Sequence, residues 1–291
     1  MTKNQLKSSI QGALIGFAIG DAMGATTEFM TQEEVIKKYG RVKDIIGGGW
    51  LSLRAGEVTD DTQMMTCVAR ACHYPDDLFT QMCCKEFVEW YRSNPKDVGG
   101  ACRAAIVEGV GKTPDFWMLA SMERQTANKR LDLGNGAAMR ALFPALINRP
   151  HLAVQQGRLT HNNHTSDSYI RDYCYAVLEA IHFSGVPGGM WDGNYGNLRL
   201  MSPTGHVENS VKNAIYWSFN SKNFREAILG PVNHGGDADT IAALTGGIAG
   251  AYWGLENIPQ RWVEQLNPET KRELLSLADW ALTQWGGKKN L

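Results

Sequence analysis

Apolar residues recur at spacings of three and four along most of this chain, which is the pattern of helices that bury one face. Among the first residues, for example, Ile10, Leu14 and Phe17 share a face. The same spacing predicts helices over residues 9–24, 31–39, 61–72, 76–92, 98–110, 114–122, 137–146, 169–183, 207–218, 224–229, 239–254 and 269–285. Few segments alternate with period two, and neither strand–helix alternation nor an internal repeat is visible. The sequence therefore predicts an all-α fold, with residues 1–291 in a single domain.

Glycine, proline and asparagine predict where several of these helices begin and end. Gly40 is a natural end for the second helix, and Asn267 followed by Pro268 is typical of the start of the last one. Residues 47–49 are three glycines and predict a flexible loop. Residues 185–203 are rich in glycine, proline and asparagine, so we expect a long loop there.

Glycine is the unusual component of the composition, with 31 of 291 residues, although each interior glycine weakens a helix by about 1 kcal/mol. Two sets lie four residues apart: Gly12, Gly16, Gly20 and Gly24, and then Gly246, Gly250 and Gly254. Small residues at this spacing let helix backbones approach closely. The two stripes indicate either simple helix packing or packing that draws together the helix ends that carry the acidic clusters described below.

Composition excludes several classes of protein. Hydrophobic residues make up 43% and charged residues 20%, which is typical of globular proteins and not of disordered chains, collagens or coiled coils. A net charge of −1 offers no basic surplus for a long nucleic-acid footprint. No apolar run of 18 residues exists, so we expect no membrane span.

The cysteines and the first residues bear on location. None of the six cysteines forms a C-x-x-C pair, which favours reduced thiols over a zinc or redox site. Lys3 and Lys7 precede an apolar run at 13–19 that resembles a weak signal peptide, but glycines interrupt the run and Asp21 follows it. We therefore expect a cytoplasmic protein.

Two acidic clusters lie at the starts of predicted helices. They are Glu57-Val58-Thr59-Asp60-Asp61-Thr62 and Gly235-Gly236-Asp237-Ala238-Asp239-Thr240. Carboxylate and hydroxyl oxygens suit hard cations such as Mg²⁺ and Mn²⁺, and four aspartates suit a two-metal site. The alternative is that each cluster only caps its helix, because Asp and Thr are favoured at helix N-termini. Two clusters of matched composition favour the metal interpretation.

Two further segments have candidate chemistry. The turn Gly134-Asn135-Gly136 opens onto a predicted helix, so its free backbone N–H groups either bind phosphate or simply join two helices. The polar run at 160–164 is expected to be exposed. Its His161 and His164 are either a ligand pair or surface histidines without a metal, and His161 alone is a third possibility as a donor to phosphate.

Five motifs occur together in order: Gly20-Asp21-Ala22-Met23-Gly24-Ala25-Thr26-Thr27-Glu28-Phe29, Gly56-Glu57-Val58-Thr59-Asp60-Asp61-Thr62-Gln63-Met64, Gly134-Asn135-Gly136-Ala137-Ala138-Met139-Arg140, Thr160-His161-Asn162 and Gly235-Gly236-Asp237-Ala238-Asp239-Thr240. Together they resemble the ADP-ribosylglycohydrolase family over residues 10–265. The bacterial branch of dinitrogenase reductase-activating glycohydrolases resembles the chain most, through Gly47-Gly48-Gly49-Trp50 and Asp97-Val98-Gly99. The chain departs from that branch at Gly100, where an asparagine is expected, and this leaves the exact target open.

The resemblance implies a compact, orthogonal multi-helix domain with a binuclear Mg²⁺ or Mn²⁺ centre in a central cleft. The implied metal ligands are Thr59, Asp60, Asp61, Asp237, Asp239 and Thr240. The implied catalytic carboxylates are Glu28, Asp60, Asp61 and Asp97, of which Asp97 lies near the arginine side of the substrate. The implied contacts to the phosphates and distal ribose are Gly134, Asn135, Gly136 and His161.

The resemblance also implies an activity, which is hydrolysis of the N-glycosidic bond between ADP-ribose and an arginine side chain of a modified protein. ADP-ribose and an arginine-linked ADP-ribosylated protein are then the partners, and a monomer is expected. The alternatives are an inactive relative that binds ADP-ribosylated proteins or antagonises a toxin, and a hydrolase of serine-linked or O-acetyl ADP-ribose. An all-α enzyme for prenyl diphosphates is disfavoured, because its D-D-x-x-D pattern fails at Met64.

Overall fold

Helices supply the regular secondary structure of the computed structural model, which describes residues 1–127, 133–184 and 198–285. The helices are α1 (Lys3–Gly24), α2 (Gln32–Tyr39), α3 (Asp60–Ala71), α4 (Phe79–Arg92), α5 (Gly100–Gly109), α6 (Pro114–Ala127), α7 (Leu142–Leu146), α8 (Pro150–Arg158), α9 (His164–His182), α10 (Val207–Phe219), α11 (Phe224–His234), α12 (Ala238–Trp253), α13 (Gln260–Gln265) and α14 (Pro268–Trp285), with 3₁₀ turns at Asn135–Ala137 and Leu255–Asn257. Within these ranges the β-type pairs are isolated bridges, so the predicted all-α fold is confirmed.

The two glycine stripes pack against each other, and this contact organises the fold. A Cβ atom on Gly20 would lie 2.0 Å from the carbonyl oxygen of Ala242, and one on Gly250 would lie 2.0 Å from that of Gly12. The helices run antiparallel, so Gly24 at the end of α1 meets Ala238 at the start of α12. Close packing therefore places the end of one helix beside the acidic start of the other.

Helix boundaries differ from the prediction where a capping residue was overlooked. Helix α1 begins at Lys3 rather than at residue 9, because Thr2 and Gln5 form a reciprocal capping box ahead of the apolar pattern. Helix α9 begins at His164 rather than at residue 169, because the side chain of Asn163 accepts the Ser166 N–H at 2.6 Å. The short helices α8 and α13 were not predicted.

Other predicted elements are confirmed or only shifted. Asn267 caps α14 as the sequence predicts, whereas Thr31, predicted as the first residue of the second helix, caps α2 instead. The predicted helix over 137–146 is divided, and only Leu142–Leu146 is α-helical. Helix α11 continues past residue 229 to His234 and contains Pro231. Of the predicted loop at 185–203, residues 185–197 lie outside the described residues, and 198–203 carry no helix or strand.

The core lies between α1, α12 and the helices around them, and both central helices are buried on nearly all sides. None of the described helices has the length and apolar character needed to cross a membrane.

Candidate functional site

A cleft of about 640 Å³ opens at the junction of α1, α3 and α12. It brings together most of the predicted site residues, which are Glu28, Asp60, Asp61, Asp97, Gly134, Asn135, Gly136, His161, Asp237, Asp239 and Thr240. Thr59 is not among the residues that line it. The predicted phosphate turn and both predicted acidic clusters therefore face one space, although they are far apart in the sequence.

The first acidic cluster is positioned by a cap and by a buried carboxylate from α1. Thr59 caps α3, because its hydroxyl oxygen accepts the Asp61 N–H at 3.2 Å. Asp21 accepts the backbone N–H groups of Thr59 and Thr62, each at 3.0 Å. This arrangement leaves the side chains of Asp60 and Asp61 directed into the cleft.

The second acidic cluster is positioned by a glycine turn. Gly235 and Gly236 have φ values of 77° and 69°, which favour glycine. A Cβ atom on Gly236 would lie 2.0 Å from the carbonyl oxygen of Pro203. Asp237 follows at the N-cap position of α12, but its carboxylate makes no capping hydrogen bond. Capping alone therefore does not account for Asp237, whose Oδ2 accepts a hydrogen bond from Asn135 at 2.5 Å.

The two clusters touch each other across the cleft. The hydroxyl of Thr240 donates to Oδ1 of Asp61 at 3.3 Å. One oxygen each from Glu28, Asp237 and Asp239 lies within 4.8 Å of the other two. Since Glu28 follows α1, all three junctions contribute carboxylates to one acidic cluster.

Burial of these carboxylates disfavours their charged forms. It raises the pKa of Glu28 to about 8 and that of Asp60 to about 7, and neighbouring carboxylates add to both shifts. Burial likewise raises the pKa of Asp237 to about 6, although Asn135 opposes this shift. The pKa values of Asp61 and Asp239 are raised well above their usual range for the same reason.

The donor set fits a divalent cation. Oδ2 of Asp61 and Oδ1 of Asp239 are buried and have no hydrogen-bond partner among the described residues. The described residues that line the cleft include no lysine or arginine to neutralise the carboxylates. Buried anionic oxygens without partners are costly unless a cation binds them. The cluster can therefore hold a metal ion.

His161 is buried, so the prediction that residues 160–164 form an exposed segment is wrong for this side chain. The reason is a hydrogen-bond chain that the sequence does not reveal. Arg140 donates to the Thr160 hydroxyl oxygen at 2.6 Å, and that hydroxyl lies 2.8 Å from Nδ1 of His161. Burial and the charge of Arg140 lower the pKa of His161 to about 3, so the ring is neutral. His164 begins α9 and is exposed, so the two histidines occupy different environments.

The hydrogen bonds of Thr160 are compatible with a proton on Nε2 of His161. Because Arg140 can only donate, the Thr160 oxygen accepts from it, and the Thr160 hydroxyl is free to donate to Nδ1. In that arrangement the proton of the neutral ring sits on Nε2. A Cβ atom on Gly136 would lie 3.6 Å from this nitrogen, so Nε2 is beside the glycine turn.

Several cleft residues were not predicted as site residues. Trp50 donates its indole N–H to Oε2 of Glu28 at 2.6 Å. Thr204, Gly205 and His206 also line the cleft. The sequence signal that could have indicated these three residues is the turn Pro203-Thr204-Gly205 ahead of a helix. No local signal marks Trp50 as a partner of Glu28.

Comparison with known proteins identifies the family. The family model described as ADP-ribosylglycohydrolase matches residues 2–192 and 177–290. The chain belongs to the ADP-ribosylglycohydrolase family. Membership confirms both the resemblance and the prediction that the protein is a glycohydrolase enzyme.

Individual members of the ADP-ribosylglycohydrolase family align over most of the chain. The ADP-ribosyl-[dinitrogen reductase] glycohydrolase of Rhodospirillum rubrum is 32% identical over 98% of this chain and 99% of its own length. The ADP-ribosylarginine hydrolase Tri1 of Pseudomonas putida (strain GB-1) is 28% identical over 91% of this chain and 76% of its own. A solved ADP-ribosylglycohydrolase-related protein complex has a chain that superposes with a TM-score of 0.72 at 25% identity, covering 96% of this chain and 99% of that one.

Proposed function

We propose that this enzyme hydrolyses the N-glycosidic bond between ADP-ribose and an arginine side chain of a modified protein. The proposal rests on the set of residues that line one cleft. A cation-binding carboxylate cluster faces a turn of backbone N–H groups and a neutral histidine, and a further carboxylate, Asp97, lies on the same wall. The names of the relatives from R. rubrum and P. putida support this substrate class.

The glycine turn and His161 bind the diphosphate and distal ribose in this proposal. Backbone N–H groups at Gly134 and Gly136 and the Nε2–H of His161 are donors that carry no net charge. The Asn135 N–H is not free for this role, because it donates to the carbonyl oxygen of Gly205 at 3.0 Å. Neutral donors suit a phosphate group that lies near several carboxylates. A positively charged donor would form an ion pair with those carboxylates, whereas a neutral donor does not.

The carboxylate cluster holds the cofactor. We assign as its ligands Thr59, Asp60, Asp61, Asp237, Asp239 and Thr240. These residues would hold two divalent cations, Mg²⁺ or Mn²⁺, which would supply positive charge to the reaction. The hydroxyl of Thr59 also caps α3, so it retains one lone pair for this role.

The chain's own carboxylates handle the protons of the reaction. Water adds its oxygen to C1 of the ribose, and the C1–N bond breaks with its electron pair passing to the guanidine nitrogen. Asp60, Asp61 or Glu28 accepts a proton from the water, and the departing guanidine receives a proton in return, so protons and charge balance. The same carboxylates stabilise the positive charge that develops on the ribose.

Asp97 recognises the arginine in this proposal. Its carboxylate is half-buried at the cleft, and burial raises its pKa. A guanidinium group offers paired N–H donors that match a carboxylate. Pairing with that cation would favour the charged form of Asp97 and offset the effect of burial.

The test is a parallel assay of ADP-ribosyl-arginine, ADP-ribosyl-serine and O-acetyl-ADP-ribose with Mg²⁺ and with Mn²⁺. We expect ADP-ribose release chiefly from the arginine-linked substrate. Asp97→Ala should reduce that release more than release from serine, and an equal loss on both would remove Asp97 from guanidinium recognition. Tight binding of an arginine-linked protein without turnover would instead favour an inactive binder.

The location and organisation of the protein belong to the same proposal. A cytoplasmic location is supported by the six cysteines, all of them buried and unpaired. We retain a monomer and one domain over residues 1–291 as predictions.

A further inference from the structure

Two large aromatic side chains are exposed at the edge of the acidic cleft. Phe29 is 67% exposed and Trp50 is 51% exposed, and both line the cleft. Their ring centroids are 5.5 Å apart and their planes are tilted by 48°. We call these two residues the aromatic pair. Large apolar side chains that remain exposed side by side often mark a binding surface.

The backbone holds Phe29 in a strained conformation. Its φ is 61°, which is unfavourable for a bulky side chain. The Phe29 N–H donates to the carbonyl oxygen of Gly236 at 2.7 Å, directly before Asp237. Strain of this kind persists where the surrounding structure enforces it, and it clusters at functional sites. The backbone of Phe29 is thus fixed relative to the second acidic cluster.

The loop that carries Trp50 is fixed as well. Gly49 has a φ of 67°, and a Cβ atom there would lie 2.0 Å from the carbonyl oxygen of Ala25. Gly48 and Leu53 exchange backbone hydrogen bonds of 2.8 and 2.9 Å around the turn. The indole N–H donates to Glu28. The aromatic pair is therefore a pre-arranged surface that needs little ordering when a ligand binds.

The charges on the cleft side of the aromatic pair are anionic and favour a cationic ligand, whereas Glu34, Lys37 and Lys38 line a second groove that the two rings also border. Glu28 directly precedes Phe29 in the chain and accepts the indole N–H of Trp50, and Asp97 lines the same cleft. Carboxylates next to exposed aromatic faces attract a flat cation, which stacks on the rings. The same carboxylates repel phosphate groups. The neutral N–H donors proposed to bind phosphate lie instead at His161 and the glycine turn.

The geometry points to the aromatic pair as the binding surface for the guanidinium group of the arginine that leaves in the reaction. The role of the pair in the reaction rests on the proposed function. The prediction that the pair binds a guanidinium group is independent of it, because binding of a guanidinium compound can be measured without any turnover. Stacking of the adenine ring on the pair is the competing outcome.

The first experiment is an NMR titration of the full-length protein with arginine amide in the presence of Mg²⁺. The indole N–H signal of Trp50 is assigned by its absence from the spectrum of Trp50→Phe. We expect arginine amide to shift this signal, and norleucine amide, which lacks the guanidinium group, to leave it in place. Phe29→Ala and Phe29→Leu should both weaken the response, while the other indole signals report that the variants are folded.

The second experiment compares kinetics with product binding. Phe29→Ala should lower kcat/KM for ADP-ribosyl-arginine about fivefold, the effect of one lost cation–π contact. The Kd for ADP-ribose should stay within about twofold of wild type. Phe116→Ala, which removes an exposed ring on α6 away from the cleft, is the matched control.

The inference is overturned if norleucine amide shifts the Trp50 signal as much as arginine amide does, or if arginine amide produces no shift. It is also overturned if Phe29→Ala weakens ADP-ribose binding as much as it lowers kcat/KM, because the pair then stacks adenine. If wild-type enzyme does not cleave ADP-ribosyl-arginine, the proposed function fails, whereas the titration still decides whether the pair binds guanidinium.

Discussion

Thr62 donates both its backbone N–H and its hydroxyl to the same oxygen of Asp21, at 3.0 and 2.5 Å. Asp21 belongs to α1, and Thr62 lies in the first turn of α3. The buried carboxylate thereby substitutes for missing backbone acceptors at the start of α3. Because α1 also packs along α12, Asp21 helps to hold the two acidic helix starts beside each other.

Asp21→Asn should destabilise the protein and disturb the proposed metal site. The amide keeps one oxygen but replaces the other with an NH2 group, which then faces the N–H of either Thr59 or Thr62, so a buried donor loses its acceptor. We expect a loss of about 2–3 kcal/mol in the free energy of unfolding, measured with urea, together with weaker Mg²⁺ binding. The exposed Asp77→Asn is the matched control. Unchanged stability and unchanged Mg²⁺ affinity would show that Asp21 does not hold α3.

The acidic cluster should make the chelator-treated protein less stable as pH rises. Folding raises the pKa of Asp237 to about 6, of Asp60 to about 7 and of Glu28 to about 8, from about 4 in the unfolded chain. The folded state therefore binds more protons between these values, so its stability falls as pH increases through this range. Thermal unfolding in EDTA from pH 5 to 8 measures this.

Glu28→Gln isolates one contribution to that pH dependence. Its neutral amide has no charge to bury, so the variant should gain stability over wild type as pH rises towards 8 in EDTA. Saturating Mg²⁺ should remove the fall in wild-type stability, because the cation stabilises the charged carboxylates. A wild-type protein that becomes more stable with pH in EDTA would contradict the predicted burial of these charges.

Thr160→Val should weaken binding of ADP-ribose, because the hydroxyl that holds His161 in its Nε2–H form is lost. We expect about a fivefold higher Kd by calorimetry, and Thr160→Ser should restore most of the affinity. NMR of the ring nitrogens should show a neutral His161 from pH 8 to pH 5, in keeping with its pKa of about 3. Protonation of Nδ1 in wild type, or full affinity in Thr160→Val, would contradict this role.

Gly100→Asn tests the position at which the chain departs from the dinitrogenase reductase-activating branch. A Cβ atom at Gly100 would meet nothing within 4 Å, and the residue lines the cleft. The variant should therefore fold with an unchanged Tm and add an amide beside Asp97. We expect the ratio of kcat/KM for arginine-linked and serine-linked substrates to change. An unchanged ratio would show that residue 100 does not contribute to target choice.

The sequence was sufficient for features that are local in the chain. Both acidic clusters lie at helix starts, as their Asp and Thr content predicts, and glycines four residues apart do mark a close helix crossing. The cleft itself was a harder prediction, because it depends on how α1 aligns α3 with α12. Motif order supplied that information through the family resemblance rather than through physical reasoning on spacing.

Features that depend on distant partners could not be predicted from the sequence. The burial of His161 depends on Arg140, which lies about twenty residues earlier and has no sequence pattern that marks it as buried. The role of Asp21 depends on α3, and the hydrogen bond between Trp50 and Glu28 joins two loops. Each of these contacts is set by tertiary packing, which local periodicity does not encode.

We propose that the two acidic helix starts form one metal centre and that the enzyme cleaves ADP-ribosyl-arginine there. The most direct measurement is the rate of ADP-ribose release from that substrate by wild type, Asp60→Ala and Asp239→Ala, each with Mg²⁺ and after EDTA treatment. We predict release by metal-loaded wild type alone, since each variant removes a proposed ligand from a different helix. Full activity of EDTA-treated wild type, or of either variant, would contradict the account.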